Sequence, residues 1–280
     1  MAEAMIAGLL RGQLVEPDQV TASHPREERR LDLHREYGIR TVAGNVEAID
    51  KADVILLAIK PQMLGRVGSE LRPHLRHGQL VLSVIAGATT TALEGFLGHS
   101  RLVRSMPNTP ARLGRGMTVW FATPETTEEQ RSQARALLQA LGTELEVDDE
   151  KFVAMATAVS GTGPTYVFLV MEALIDAAVH LGFPRHVAHD LVVETLEGST
   201  HFAKHSGDHP AVLRNMVTSP GGTSAAALHE LESGRLRTVF SEAVWAAYRR
   251  TVELGEQLEA SVERDATTGA GSRPAGRARH

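Results

Sequence analysis

The run Asp53-Val-Ile-Leu-Leu-Ala-Ile59, followed at once by Lys60-Pro61-Gln62, decides the architecture of the first half of the chain. From Val54 to Ile59 every residue is apolar, with no alternation. Such a run reads as a strand covered on both faces, and strands of that kind belong to parallel sheets layered between helices. Proline cannot donate to a ladder, so Pro61 closes the strand and leaves Lys60 at its carboxyl end. Working outward, Gln19–Ala22, Leu80–Ile85, Leu102–Ser105 and Met117–Ala122 are further strand runs. Helical patterns at Pro25–Tyr37, Thr91–Leu97 and Glu128–Leu141 lie between them. This alternation predicts an α/β domain over residues 1–148, a parallel sheet with crossover helices.

Beyond Asp148 the strand pattern stops. Helical periodicity covers Lys151–Val159, Pro164–Leu181, Arg185–Lys204 and Ser224–Leu258, predicting an all-α domain over 149–262. Residues 263–280, rich in Gly, Ala, Thr and Arg, bury too little to offset their ordering entropy and are expected to be a disordered tail. The 280 residues carry 29 Lys and Arg against 34 Asp and Glu, a net charge of -5 with no long block of either sign, which argues against nucleic acid or an anionic membrane as partner. No cysteine is present, which removes disulfides, thiolate metal sites and cysteine nucleophiles. His180, His186, His189, His201, His205 and His209 lack metal-binding spacing, so no metal is expected. No apolar run approaches the roughly 20 residues of a membrane span, and no basic-then-apolar leader opens the chain. A soluble, cytoplasmic protein is the expectation.

Open parallel sheets bind ligands beyond the carboxyl ends of their strands, most often a dinucleotide. The G-x-G-x-x-G turn that would confirm this is absent. The sequence opens on Met1-Ala-Glu-Ala-Met-Ile-Ala-Gly-Leu-Leu10, which reads as the helix that should follow such a turn. The first strand and its glycine loop are therefore expected to be missing. After Gln19–Ala22, where an NAD enzyme places an acidic residue, stand Ser23, His24, Pro25 and Arg26, with Arg29 and Arg30 one helical turn on. A hydroxyl beside arginines suits the 2′-phosphate of NADP; the same arginines also suit a solvated helix face. Lys60 is equally a cofactor contact or a surface charge, and the turn Ser105–Pro110 equally a functional rim or a plain turn.

In the helical half, Val217-Thr-Ser-Pro-Gly-Gly-Thr-Ser-Ala-Ala-Ala-Leu228 opens a helix on glycines and hydroxyls. Its free N–H groups would capture a carboxylate or phosphate. The competing reading is an ordinary N-cap by Ser219 or Thr223. Ser160-Gly161-Thr162-Gly163-Pro164 similarly precedes a long helix.

Together AIKPQ (58–62), MPNTP (106–110), SGTGP (160–164) and TSPGGTS (218–224) resemble pyrroline-5-carboxylate reductase, over roughly residues 1–258. The resemblance implies a Rossmann-type domain followed by a helical domain that dimerises, with higher assembly of dimers. It also implies reduction of the cyclic imine 1-pyrroline-5-carboxylate to L-proline by NADPH or NADH. Family positions for cofactor fall on Ser23, Asn45, Ala58, Ile59, Lys60, Pro61 and the Val84-Ile85-Ala86 turn, with Arg26 beside them. Those for substrate fall on Glu150, Ser219, Gly222, Thr223 and Ser224. Ser224, a threonine in most of the family, is expected to be the catalytic contact to the imine nitrogen. Met216 departs from relatives that place a polar residue there. The alternatives are a non-catalytic paralogue acting as a dimeric binding or regulatory module, and a related dehydrogenase acting on a hydroxy acid or another imine.

Overall fold

In a computed structural model the protein is described over residues 1–270, with side chains through residue 264. Residues 271–280 of the expected tail lie outside the described residues. The chain forms two compact units. The first comprises Met1–Thr162 together with the described residues from Ala247 onward, and the second is Gly163–Ala246.

The first unit runs α1 (Ala2–Arg11), β1 (Thr21–Ser23), α2 (Glu27–Tyr37), β2 (Arg40–Val42), α3 (Asn45–Ile49), β3 (Val54–Leu57) and α4 (Leu64–Leu71). It continues through β4 (Leu80–Ser83), α5 (Thr90–Leu97), β5 (Leu102–Met106), β6 (Gly116–Ala122), α6 (Glu128–Gln139), β7 (Gly142–Glu146) and α7 (Lys151–Ala156). A π-helical turn, Thr157–Gly161, follows.

The sheet is in two pieces, β1-β2 and β3-β4-β5-β6-β7. Among the described residues β1 pairs only with β2 and β3 on one side only with β4, so each keeps an unpaired edge. Residues of both strands, with Met5, Ile6 and Leu9 of α1, line an apolar cavity of about 420 Å³. The sheet is thus interrupted where a Rossmann domain carries its central strand.

The expected all-parallel sheet needs one correction: β6 runs antiparallel to β5. Parallel strands need a crossover of about a dozen residues or more, and the short turn between Met106 and Gly116 permits only reversal. Burial alternates as the pleat requires. Leu80 and Leu82 of β4 pack with Met5, Trp120 and Leu138 on one face, and Val81 packs with Leu64, Leu71, Leu93 and Leu97 on the other. Each such side chain contributes about 1.5–3 kcal/mol of burial.

In the second unit α8 (Gly163–His180) and α9 (Arg185–Ser206) pack as a hairpin, followed by α10 (Pro210–Met216), α11 (Thr223–Ser233) and the start of α12 (Leu236–Ala270). The single helix expected over Ser224–Leu258 is broken, because Gly234 and Arg235 intervene and Arg235 adopts φ +58°. Contrary to the expected tail, α12 continues through Ala270. Propagating a formed helix adds one hydrogen bond for each residue fixed, which offsets part of the ordering entropy. Phe168, Leu169, Phe202, Val239 and Trp245 are all more than half exposed, a large apolar display for one unit.

Candidate active site

The first unit gathers the residues predicted for cofactor around the carboxyl ends of β1, β3 and β4. Ser23 ends β1, and its hydroxyl donates to Asn45 Oδ1 at 2.8 Å, joining two predicted positions 22 residues apart. Asn45 Nδ2 donates to Glu70 at 3.0 Å, which fixes the amide. Ser23, Asn45, Ala58 and Ile59 line the same cavity. Lys60 is exposed and caps the short turn Pro61–Met63, and its ammonium has no partner among the described residues. Val84, Ile85 and Ala86 leave β4 on a turn in which the Val84 N–H donates to Leu57 O and the Ile85 N–H to Ser83 Oγ. Gly87, at φ +77°, completes it.

The three arginines separate by role. Arg29 is ion-paired to Glu3 of α1, and Arg30 donates to the carbonyls of His24 and Pro25, pinning the loop after β1. Arg26 keeps an exposed guanidinium with no partner among the described residues, so it alone is available to an incoming phosphate. Beside Arg29, Tyr37 donates to Glu3, and burial, then the Glu36 and Glu3 carboxylates, push its phenol up to about 12.

Glu150 is fully engaged. Its carboxylate accepts from Arg104 Nη1 at 2.6 Å, from the Thr90 N–H at 2.8 Å and from Thr90 Oγ1 at 2.5 Å. The Arg104 side chain is 6% exposed. Removing one member of such a pair leaves the other charged and buried, at roughly 3–5 kcal/mol. This pair borders a second cavity, about 300 Å³, lined also by Gly87, Thr89, Tyr248 and Glu259. At its rim the Lys151 ammonium hydrogen-bonds Asp149, holding that carboxyl below its ordinary range and raising the lysine. Sequence reasoning did not single out Arg104, although an arginine inside the apolar run Leu102–Met106 points to a buried partner.

The Ser105–Pro110 turn and the Ser160–Pro164 stretch meet. Asn108 donates to Ser160 O at 3.1 Å and accepts from the Met117 N–H at 3.0 Å, and Gly161 leaves room for Met106. The asparagine therefore braces the turn.

In the second unit the start of α11 resolves the capping alternative. Its N-cap is Gly222 and no side chain caps it, so neither Ser219 nor Thr223 performs that task. Gly221 turns at φ +68°, and a Cβ on Gly222 would lie 2.5 Å from Ser219 Oγ. The first N–H groups of α11 and the hydroxyls of Thr223 and Ser224 are left without side-chain partners among the described residues. Preorganised donors at a helix start hold an anion such as a carboxylate.

A family model of pyrroline-5-carboxylate reductase dimerisation matches residues 150–254, and one of NADP oxidoreductase, coenzyme F420-dependent, matches residues 1–87. The pyrroline-5-carboxylate reductase of Pseudomonas aeruginosa is 41% identical over 259 residues, 92% of this chain and 94% of that protein. The chain belongs to the pyrroline-5-carboxylate reductase family. The family member of Arabidopsis thaliana is 36% identical, covering 91% of this chain and 92% of its own. Among solved structures, the reductase of Coxiella burnetii superposes with a TM-score of 0.83 at 36% identity, over 90% of this chain and 94% of that one. That of Plasmodium falciparum, solved with NADP bound, has a TM-score of 0.83 at 28% identity over the same shares. Membership in the reductase family therefore extends over both units, including α11 and its opening loop.

Proposed function

We propose that this protein reduces 1-pyrroline-5-carboxylate to L-proline with a nicotinamide cofactor, NADPH in preference to NADH. Family membership across both units carries this reading. The first unit fits the cofactor: a hydroxyl at the end of β1 bonded to an amide at the start of α3, an available guanidinium at Arg26 and a free ammonium at Lys60 suit ribose, 2′-phosphate and diphosphate in turn. The cofactor supplies the hydride. Val84, Ile85 and Ala86 offer backbone where the dinucleotide crosses the strand ends. The N–H groups at the start of α11 hold the substrate carboxylate, and the Ser224 hydroxyl hydrogen-bonds the imine nitrogen, which takes up a proton from water as the imine carbon takes the hydride. Fixing the carboxylate and the neighbouring ring nitrogen sets the orientation of the small ring.

The exposed apolar residues of α8, α9 and α12 form the subunit interface of a homodimer, the region matched by the dimerisation family. The helical run Lys151–His180 has the length and mean hydropathy, 1.3, of a span, but it falls within that interface region, and we read it as part of a cytoplasmic assembly. A non-catalytic dimeric module has no use for an uncapped helix start with free hydroxyls, and is the weaker reading. Following NADPH oxidation and proline formation together in the presence of pyrroline-5-carboxylate tests the proposal; absence of proline from folded, NADPH-binding protein would refute it.

A further inference from the structure

The C-terminal half of α12 lies against the turn that we read as taking the cofactor. Gly87 closes that turn, and a Cβ built on it would lie 2.7 Å from Leu254 Cβ. Gly255 faces Gly87 O, with its own would-be Cβ at 3.1 Å. One helical turn on, Glu259 Oε1 accepts from Thr89 Oγ1 at 2.5 Å, and the same Thr89 oxygen accepts the Ala92 N–H as the N-cap of α5. A further turn on, Val262 fills the space that Gly95 leaves on α5, and Leu258 and Val262 join the core cluster of β3, β4 and α5. From the other side Glu150, held by Arg104, accepts both the N–H and the hydroxyl of Thr90. The start of α5 is thus held between two carboxylates, one on each of two adjacent threonines. Gly255, Glu259 and Val262 all lie past residue 254, where the dimerisation family match ends.

We propose that Glu259, with Gly255 and Val262, positions the cofactor turn: the C-terminal half of α12 holds Val84–Gly87 in the shape that receives the dinucleotide. The inference rests on the reading that this turn contacts the cofactor. A carboxylate on the capping threonine orients its hydroxyl, and the glycines set how close the helix comes, so a change on α12 is transmitted to the turn by contact.

The test is NADPH titration by calorimetry on the full chain, with steady-state kinetics alongside. Glu259→Ala should raise the NADPH dissociation constant roughly tenfold, as loss of a charged hydrogen bond does, while KM for pyrroline-5-carboxylate stays within about twofold. Glu259→Gln keeps an acceptor and should restore binding. Gly95→Ala drives a methyl into Val262 and should weaken NADPH similarly; adding Val262→Ala should recover it. Lys60→Ala reports on the cofactor crevice itself. If Lys60→Ala weakens NADPH and Glu259→Ala does not, the inference is overturned and the cofactor reading stands. If neither changes binding, both fall. An equal rise in KM for the imine would also overturn it, because Glu259 would then act on the fold at large.

Discussion

Replacing Ser224 by alanine separates a catalytic hydroxyl from a structural one. In the structure α11 is capped by Gly222 without a side-chain bond, and Ser224 has no partner among the described residues. The substitution removes no side-chain hydrogen bond among the described residues, and alanine is the better helix former by a few tenths of a kcal/mol. The melting temperature should therefore stay within about 2 °C of the parent. Catalysis should behave differently. A neutral hydroxyl that orients an imine nitrogen contributes about 1–3 kcal/mol, so kcat/KM for pyrroline-5-carboxylate should fall roughly 5- to 150-fold. NADPH affinity should hold, and Ser224→Thr should retain most activity because the hydroxyl remains. Steady-state kinetics and a thermal melt on one sample provide the assay. Unchanged kcat/KM in Ser224→Ala, or a melt lowered by the 0.5–2 kcal/mol typical of a lost cap, would refute the reasoning.

Arg26→Ala should raise KM for NADPH about fivefold and leave that for NADH unchanged, since an exposed guanidinium on a phosphate contributes about 1 kcal/mol; Arg29→Ala, whose cation is already spent on Glu3, should not discriminate between the two. A chain extended ahead of Met1 by an apolar strand and a glycine turn should fill the cavity between β1 and β3 and bind NADPH more tightly than the present sequence; equal affinity would show the added strand to be dispensable. His99 gives the pH dependence. Its ring bonds the Gln79 carbonyl, and burial lowers its pKa below 6.5 despite that bond. The unfolded chain therefore takes up the proton first, and this contribution to stability is complete above the unfolded value and lost as pH falls through 6.5 toward the folded one. Urea unfolding from about pH 8 to about pH 5 should lose less stability in His99→Asn than in the parent, and parallel slopes would exclude the histidine.

Much of the fold is legible because its apolar runs are extreme. Val54–Leu57 and Leu80–Leu82 are apolar throughout, which marks them as covered strands. The strands Arg40–Val42 and Gly142–Glu146 escaped because they are polar edge strands, stabilised by pairing with a neighbour rather than by their own composition. The direction of β6 lies in the length of the preceding loop, too short for a crossover, and not in the apolar pattern of the strand itself. In the candidate site, Ser23, Asn45 and the α11 loop are reached through the family resemblance, and the hydrogen bond from Ser23 to Asn45 joins two of those positions. The engagement of the arginines is not legible in the sequence: the folded structure separates Arg26, without a side-chain partner among the described residues, from Arg29 and Arg30, which are engaged. The α12 contacts on the cofactor turn join residues 170 apart in the chain, beyond the reach of periodicity.

The central claim is hydride transfer from a nicotinamide to the imine of pyrroline-5-carboxylate within this family fold. The most direct measurement supplies NADPH deuterated at the transferring position of its ring together with pyrroline-5-carboxylate, and weighs the proline formed. The account predicts L-proline carrying one deuterium at the former imine carbon, in step with NADPH consumed. Proline without the label, or NADPH consumed with no proline formed, would contradict it.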